Sequence, residues 1–289
     1  LATGRPFRIN RIRAGRERPG LLRQHLTAVQ AAAAVCGAEV KGAELGSRRL
    51  EFQPGSVCAG EYRCEIGSAG STTLVAQTLV PALIGAAGPS IVIVEGGTHN
   101  RQSPPFEFFE RTYLGLLRRM GAGVRAVLER HGFHPRGEGR LRLEVQGGQT
   151  LRPLFLTERG AIVRRTATAV SARLPEHIAQ RELRHLEKEL GWKPEELAVE
   201  QVTDAASPGN LLLAELETEQ LIQVIASFGE KGVPAEVVAR QCALQIRRYE
   251  GSAAAVDEYL ADQLLIPAAL AGAGEYTATA VSSHFITNV

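Results

Sequence analysis

The chain reads as an α/β (α+β) protein: a large domain of repeated α/β units interrupted by a smaller α/β insert. Three observations carry that reading. Short stretches of alternating apolar and polar residues interleave with longer helical stretches along the whole chain. One helix-and-strand unit from the first third recurs near the end. The intervening stretch, about 160 to 250, has a more charged character of its own.

The bulk numbers fit. With 289 residues, 44% of them hydrophobic, the chain can bury a core for one large domain plus a smaller one. No apolar run reaches the roughly 20 residues of a membrane span, and the opening LATGRPFRIN lacks signal-peptide shape, so a cytosolic (cytoplasmic) protein with no membrane partner is expected. Both termini are expected to be incomplete relative to the native protein. Cys36, Cys58, Cys64 and Cys242 show no paired spacing and are expected to be plain thiols. Net charge is +2, and of 33 basic residues only Lys41, Lys188, Lys193 and Lys231 are lysines. Arginine's planar fork suits phosphate, though a GC-rich genome gives the same bias.

In order, residues 7–12 alternate as a half-buried strand. Arg13, Arg16, Arg18 and Arg23 then crowd a Gly and a Pro-Gly turn at the mouth of an alanine-rich helix over 27–36. Helix N-termini favour anions and arginines reinforce them, so this suits a phosphate site or a solvated basic loop. Strands are expected at 43–45, 49–52 and 61–66. The small-residue turn 67–73 opens an apolar helix over 74–86 that carries Gln77. A strand at 90–94, a helix over 106–120 after Pro104 and Pro105, and strands at 124–129 and 141–145 follow.

The repeat is read from register. Gly67-Ser68-Ala69 recurs as Gly251-Ser252-Ala253, a shift of 184, while Gln77, Pro81, Ala82 and Gly88 recur as Gln263, Pro267, Ala268 and Gly274, all shifted by 186. This places the large domain at 1–159 and 251–289 and sets Gln77 and Gln263 toward one shared cleft. The insert, 160–250, offers a helix over 176–190 ended by Gly191, strands at 197–202, 211–217 and 221–228, and a helix over 235–249.

No P-loop, HExxH or Rossmann glycine pattern is present. Tyr259, Asp262 and Gln263 lie three and four apart on one helical face, which suits a nucleotide pocket or a polar face covering the insert. Leu260 and Ala261 complete that run. His284 follows small hydroxyl residues near the expected end of a strand, and is either a nucleophile or a solvated histidine.

Eight stretches together resemble the RNA 3′-terminal phosphate cyclase family, in its bacterial form: IRAGRERPGLLRQHLTAV, GAELGSRRLEF, GSAGSTTLVAQTLVPAL, GGTHN with its following prolines, LTERG, GEKGVPAEVVARQ, AAVDEYLADQL and HFITN. They span nearly the whole chain in order. The resemblance implies a fold like the C-terminal domain of a bacterial translation initiation factor, and ATP-dependent conversion of an RNA 3′-phosphate to a 2′,3′-cyclic phosphodiester. It implies His284 as the adenylated nucleophile and Gln77, Pro104 and Tyr259, Leu260, Ala261, Asp262 and Gln263 as ATP contacts. Arg13, Arg16, Gln24 and His25 would receive the RNA terminal phosphate. Cofactors would be ATP and a divalent metal (Mg2+ or Mn2+), and DNA 3′- or 5′-phosphate ends are further candidate partners.

Two departures stand out. The family's Gly-rich EGGGQ stretch, with its acidic metal ligand, would precede residue 1. The family's PxGGG turn reads Pro135-Arg-Gly-Glu-Gly139, so Glu138 would be strained if that position needs positive φ. A catalytically inactive cyclase-like RNA-processing scaffold is the alternative, and the presence of His284 counts against it. An enolpyruvyl transferase, also built of repeated units, is disfavoured because a lysine-rich anion cleft is missing.

Overall fold

The computed structural model describes residues 1–288. The chain forms two compact units: residues Leu1–Ser103 with Ala122–Thr150, and Pro104–Gly121 with Leu151 onward.

In the first unit, β1 (Phe7–Asn10), β2 (Glu39–Lys41) and β3 (Arg49–Gln53) make a small antiparallel sheet in the order β1-β3-β2. Helix α1 (Arg23–Cys36) begins four residues before its alanine-rich run, because Arg23, Gln24, His25 and Leu26 are also good or neutral helix formers. The expected strand at 43–45 is a turn. Gly42 and Gly46 take φ of 80° and 79°, a left-handed backbone that interrupts pairing, and the strand lies just before it as β2.

The main sheet of this unit runs β4 (Glu61–Glu65), β5 (Ser90–Gly96), β7 (Gly139–Val145), β6 (Val124–Arg130). β4 and β5 are parallel, joined by α2 (Thr72–Ile84), whose Val75, Leu79 and Leu83 are fully buried. Val92, Val94, Leu141 and Leu143 are the matching fully buried residues of β5 and β7. Period-two burial in β5 and β7 follows from one face packing on α2.

In the second unit, the expected helix over 106–120 forms with a π-helical stretch (Phe108–Tyr113) leading into α3 (Leu114–Arg119). A four-stranded sheet runs β10 (Leu197–Val202), β9 (Ile162–Ala172), β11 (Gly209–Thr218), β12 (Ile222–Phe228). Strand β9 escapes the sequence pattern because its alternation from Thr166 onward is carried by Thr and Ala, side chains of weak hydropathy, and follows two consecutive arginines. Helices α4 (Glu176–Leu190) and α5 (Ala235–Glu250) bury Leu183, Leu186, Cys242 and Ile246 with Trp192, Leu212 and Leu216 in one core. Gly191 ends α4 in the left-handed conformation its position requires.

The second unit closes with α6 (Glu258–Ala271), β13 (Gly274–Tyr276) and α7 (Ser283–Asn288). β13 pairs in parallel with β8 (Leu154–Leu156), a strand too short to read from sequence. His284 lies in α7 and not at a strand end, because Ser282 accepts the Phe285 N–H through its hydroxyl (3.0 Å) and the Ile286 N–H through its carbonyl (3.2 Å), starting a helical turn.

The repeat register is visible as secondary structure. Helices α2 and α6 hold Gln77 and Gln263, then Pro81 and Pro267 inside the helix, and each leads to a strand. A proline removes the amide that would bond the carbonyl four residues back, and in both copies that carbonyl belongs to the glutamine. The four cysteines are free thiols. Among the described residues no helix is long and apolar enough to cross a membrane.

Candidate functional site

In the first unit, four of the expected residues gather at the start of α1. Arg13 takes φ of 52° and its guanidinium donates to the carbonyls of Arg18 and Gly20, bracing the loop that leads to the helix. Gly20 is obligatory there: a Cβ would lie 2.2 Å from the Gly46 carbonyl oxygen. Arg16 stands exposed at the loop tip. Gln24 accepts the Ser71 N–H at 2.6 Å, tying α1 to the turn that opens α2. His25 accepts the Leu22 N–H on Nδ1 at 3.2 Å. Burial, and then the Arg13 charge, hold its pKa below the ordinary imidazole value. A neutral ring with Nδ1 engaged leaves Nε2 as the donor. Arg23, also at this helix start, lies over Gly67, where a Cβ would meet its Nη1 at 3.2 Å. Gln77 sits half-buried on α2, two turns from the Ser71 cap.

Glu138 does take positive φ, at 54°. Its carboxylate pairs with Arg136 at 2.7 Å. The neighbouring Gly137 packs so closely on the Ser68-Ala69 backbone that a Cβ would fall 2.8 Å from the Ala69 Cα. This turn therefore buttresses the loop before α2.

In the second unit, Tyr259, Leu260, Ala261, Asp262 and Gln263 occupy the first two turns of α6. Leu260 and Ala261 are buried and anchor the helix. Tyr259 is 58% exposed, so its ring presents a free face to solvent. Asp262 is half-buried close to Tyr276, whose hydroxyl donates to the Ala261 carbonyl at 2.8 Å. Burial and the Asp262 charge push that phenol up to about 12, so it stays a donor. Gln263 buries an amide oxygen that has no hydrogen-bond partner, an arrangement costly unless a ligand completes it. Pro104 is half-buried at the start of the segment that leads into the π-helical stretch. His284 is exposed on α7, which packs against α6.

Sequence reasoning missed the supports of α6. Asp257 accepts the Leu260 N–H at 2.7 Å and the Gln223 side-chain amide at 2.9 Å. Burial pushes its carboxyl up to about 6 against the opposing pull of these bonds. The signal was an aspartate three residues before the first buried residue of a helix. Arg159 donates to the carbonyls of Glu250 and Ser252 and stacks over Tyr249 at 5.2 Å, which fixes the chain entering α6. Among the described residues no three His, Cys, Asp or Glu side chains could hold a metal ion. The expected divalent ion thus has no site of three such ligands among these residues.

Comparison with known proteins agrees with the resemblance. The family model for RNA 3′-terminal phosphate cyclase matches residues 1–289. An RNA 3′-terminal phosphate cyclase of Koribacter versatilis is 47% identical over all 289 residues, covering 81% of that protein. Those of Pseudomonas fluorescens and Salmonella enteritidis are 50% and 49% identical over the whole chain, covering 84% and 85% of their lengths.

Proposed function

The chain belongs to the RNA 3′-terminal phosphate cyclase family, an enzyme family, and on that premise we propose a three-step reaction at RNA 3′-phosphate ends. The His284 imidazole attacks the α-phosphorus of ATP, forming an N–P bond as pyrophosphate leaves. The AMP then passes to the RNA 3′-phosphate, giving RNA(3′)pp(5′)A and freeing the histidine. The neighbouring 2′-hydroxyl attacks that activated phosphate, and AMP departs with the bond it held, leaving the 2′,3′-cyclic phosphodiester. Dividing one displacement in this way replaces a difficult step by easier ones.

The observation that carries this reading is the packing of α7 on α6, which sets the helix of His284 beside the helix of Tyr259, Asp262 and Gln263. The exposed Tyr259 ring offers a face for a base, and the unpartnered Gln263 oxygen an acceptor for its exocyclic amine. Gln77 and Pro104 complete the proposed nucleotide contacts. Arg13, Arg16, Gln24 and His25 would take the terminal phosphate. Arg13 and Gln24 spend part of their capacity holding the loop and the α2 turn, so their contribution is partly positional. Exposed Arg16 and the His25 Nε2 donor are freer to meet an anion.

The division into a repeated-unit domain (1–159 and 251–289) and an insert (160–250) belongs to the same reading, as does the likeness to an initiation-factor domain. Its support is the self-contained core between Ala167 and Tyr249. DNA 3′- or 5′-phosphate ends extend the substrate class to be tried.

The test is incubation with α-labelled ATP and magnesium, followed by protein-bound label that is acid-labile and alkali-stable. His284→Ala is expected to carry none. Wild-type labelling by that variant would refute the mechanism.

A further inference from the structure

A buried glutamine near the start of a largely apolar strand is an expensive choice. Gln223 is fully buried in β12, between Ile222 and Val224, and its side-chain oxygen has no hydrogen-bond partner. An apolar residue of the same size would avoid that cost. Its amide nitrogen is spent on two acceptors, the Val224 carbonyl at 3.1 Å and the Asp257 carboxylate at 2.9 Å. The other oxygen of Asp257 caps α6 through the Leu260 N–H at 2.7 Å. The adjoining residues are held as well. Arg248 pairs with Glu258 at 3.2 Å, and the Tyr249 hydroxyl donates to the Ala255 carbonyl at 2.9 Å. The first turn of α6 is thus tied from two neighbouring elements, β12 and α5.

We propose that Gln223 and Asp257 are positioning residues for nucleotide binding: strand β12, through this buried pair, fixes where α6 starts and so where Tyr259, Asp262 and Gln263 stand. The inference rests on the reading of α6 as the nucleotide-side helix. A buried polar pair that adds little net stability can still select one geometry over its neighbours. Without it, the Leu260 N–H loses its acceptor and the first turn of α6 loses its tie to β12, so that turn frays. Tyr259 is the second residue of that turn, so fraying releases its ring from the helical face it shares with Asp262 and Gln263.

The experiment uses the full chain and three variants: Gln223→Met, which keeps volume and removes the donor; Asp257→Ala, which removes both acceptors; and Asp257→Asn, which keeps a cap acceptor. Three quantities are measured: the ATP concentration for half-maximal labelling, affinity for an RNA oligonucleotide 3′-phosphate without ATP, and Tm. Gln223→Met and Asp257→Ala are expected to need about tenfold more ATP, the scale of losing one buried hydrogen bond or one cap. RNA affinity should be unchanged, and Asp257→Asn should stay within about threefold of wild type. Labelling at the wild-type ATP concentration by Gln223→Met, whatever its Tm, overturns the inference. So does parallel loss of ATP and RNA binding. If Asp257→Ala fails to fold, the Gln223→Met result decides alone. Absence of label on the wild-type chain would instead remove the underlying reading, and this inference with it.

Discussion

Ser71 and Asp257 stand 186 residues apart and do the same job: each is the N-cap of its helix, and each side chain accepts the N–H three residues on, Leu74 at 3.2 Å and Leu260 at 2.7 Å. The shift is the one that relates Gln77 to Gln263 and Pro81 to Pro267. The repeat therefore extends to the hydrogen bond that starts the helix. The two caps differ in chemistry. Ser71 is backed by the Thr73 hydroxyl at 2.8 Å, whereas Asp257 brings a carboxylate that needs the Gln223 donor. Both cap residues are tied to a distant element, Ser71 through its N–H to Gln24 of α1 and Asp257 through its carboxylate to Gln223 of β12.

Ser71→Ala should destabilise the first unit by about 1 kcal/mol, the usual loss for an N-cap serine. Denaturant unfolding is the check, with a lowered midpoint and an unchanged slope as the expected outcome.

His25 should titrate below the ordinary histidine value of 6.5 in the folded protein. Because its folded pKa is depressed, the folded state binds fewer protons than the unfolded state. The associated stability is complete above the unfolded pKa and is lost as pH falls through the folded one. Arg13→Ala should raise the midpoint only in part, since burial is the larger cause. Ring-proton NMR against pH gives both midpoints. A wild-type value at or above 6.5 would contradict the placement of the ring.

Glu138→Gly should stabilise the protein by about 0.5–1 kcal/mol, by removing the strain of a side chain at positive φ while losing some unfolded-state restriction. The exposed pair with Arg136 is worth too little to reverse this. Thermal unfolding of the two proteins side by side is the check, with a higher Tm for the variant.

Glu182 is fully buried on α4, with one oxygen accepting from Asn210 at 3.0 Å and the other unpaired. Burial pushes its carboxyl up to about 7. With the folded pKa above the unfolded one, the folded state binds more protons between these values, so stability falls as pH rises from about 4.5 to about 7 and then levels off. The full penalty is on the order of 3 kcal/mol at most. Glu182→Gln should remove this slope and raise Tm most at pH 7 and above. Parallel Tm curves for the two proteins from pH 5 to 8 would show that the carboxyl is not the source.

Much was legible in the chain itself. Helix α4 begins and ends where Glu176 and Gly191 predict, because caps and left-handed glycines act over a few residues. The duplicated unit declared itself through the spacing of Gln, Pro and Gly. The gathering of Arg13, Gln24 and His25 at one helix mouth was also local. The partners of the polar groups were decided only by the tertiary structure. Gln24 meets Ser71 47 residues on, Asn210 meets Glu182 28 residues back, and Gln223 meets Asp257 34 residues on. The helix under His284 likewise depended on Ser282 turning to cap it, where alternation alone suggested a strand. Periodicity and capping record which face of an element is buried and where it stops. Which buried donor finds which acceptor is set by how the elements pack, and no short-range pattern encodes that choice.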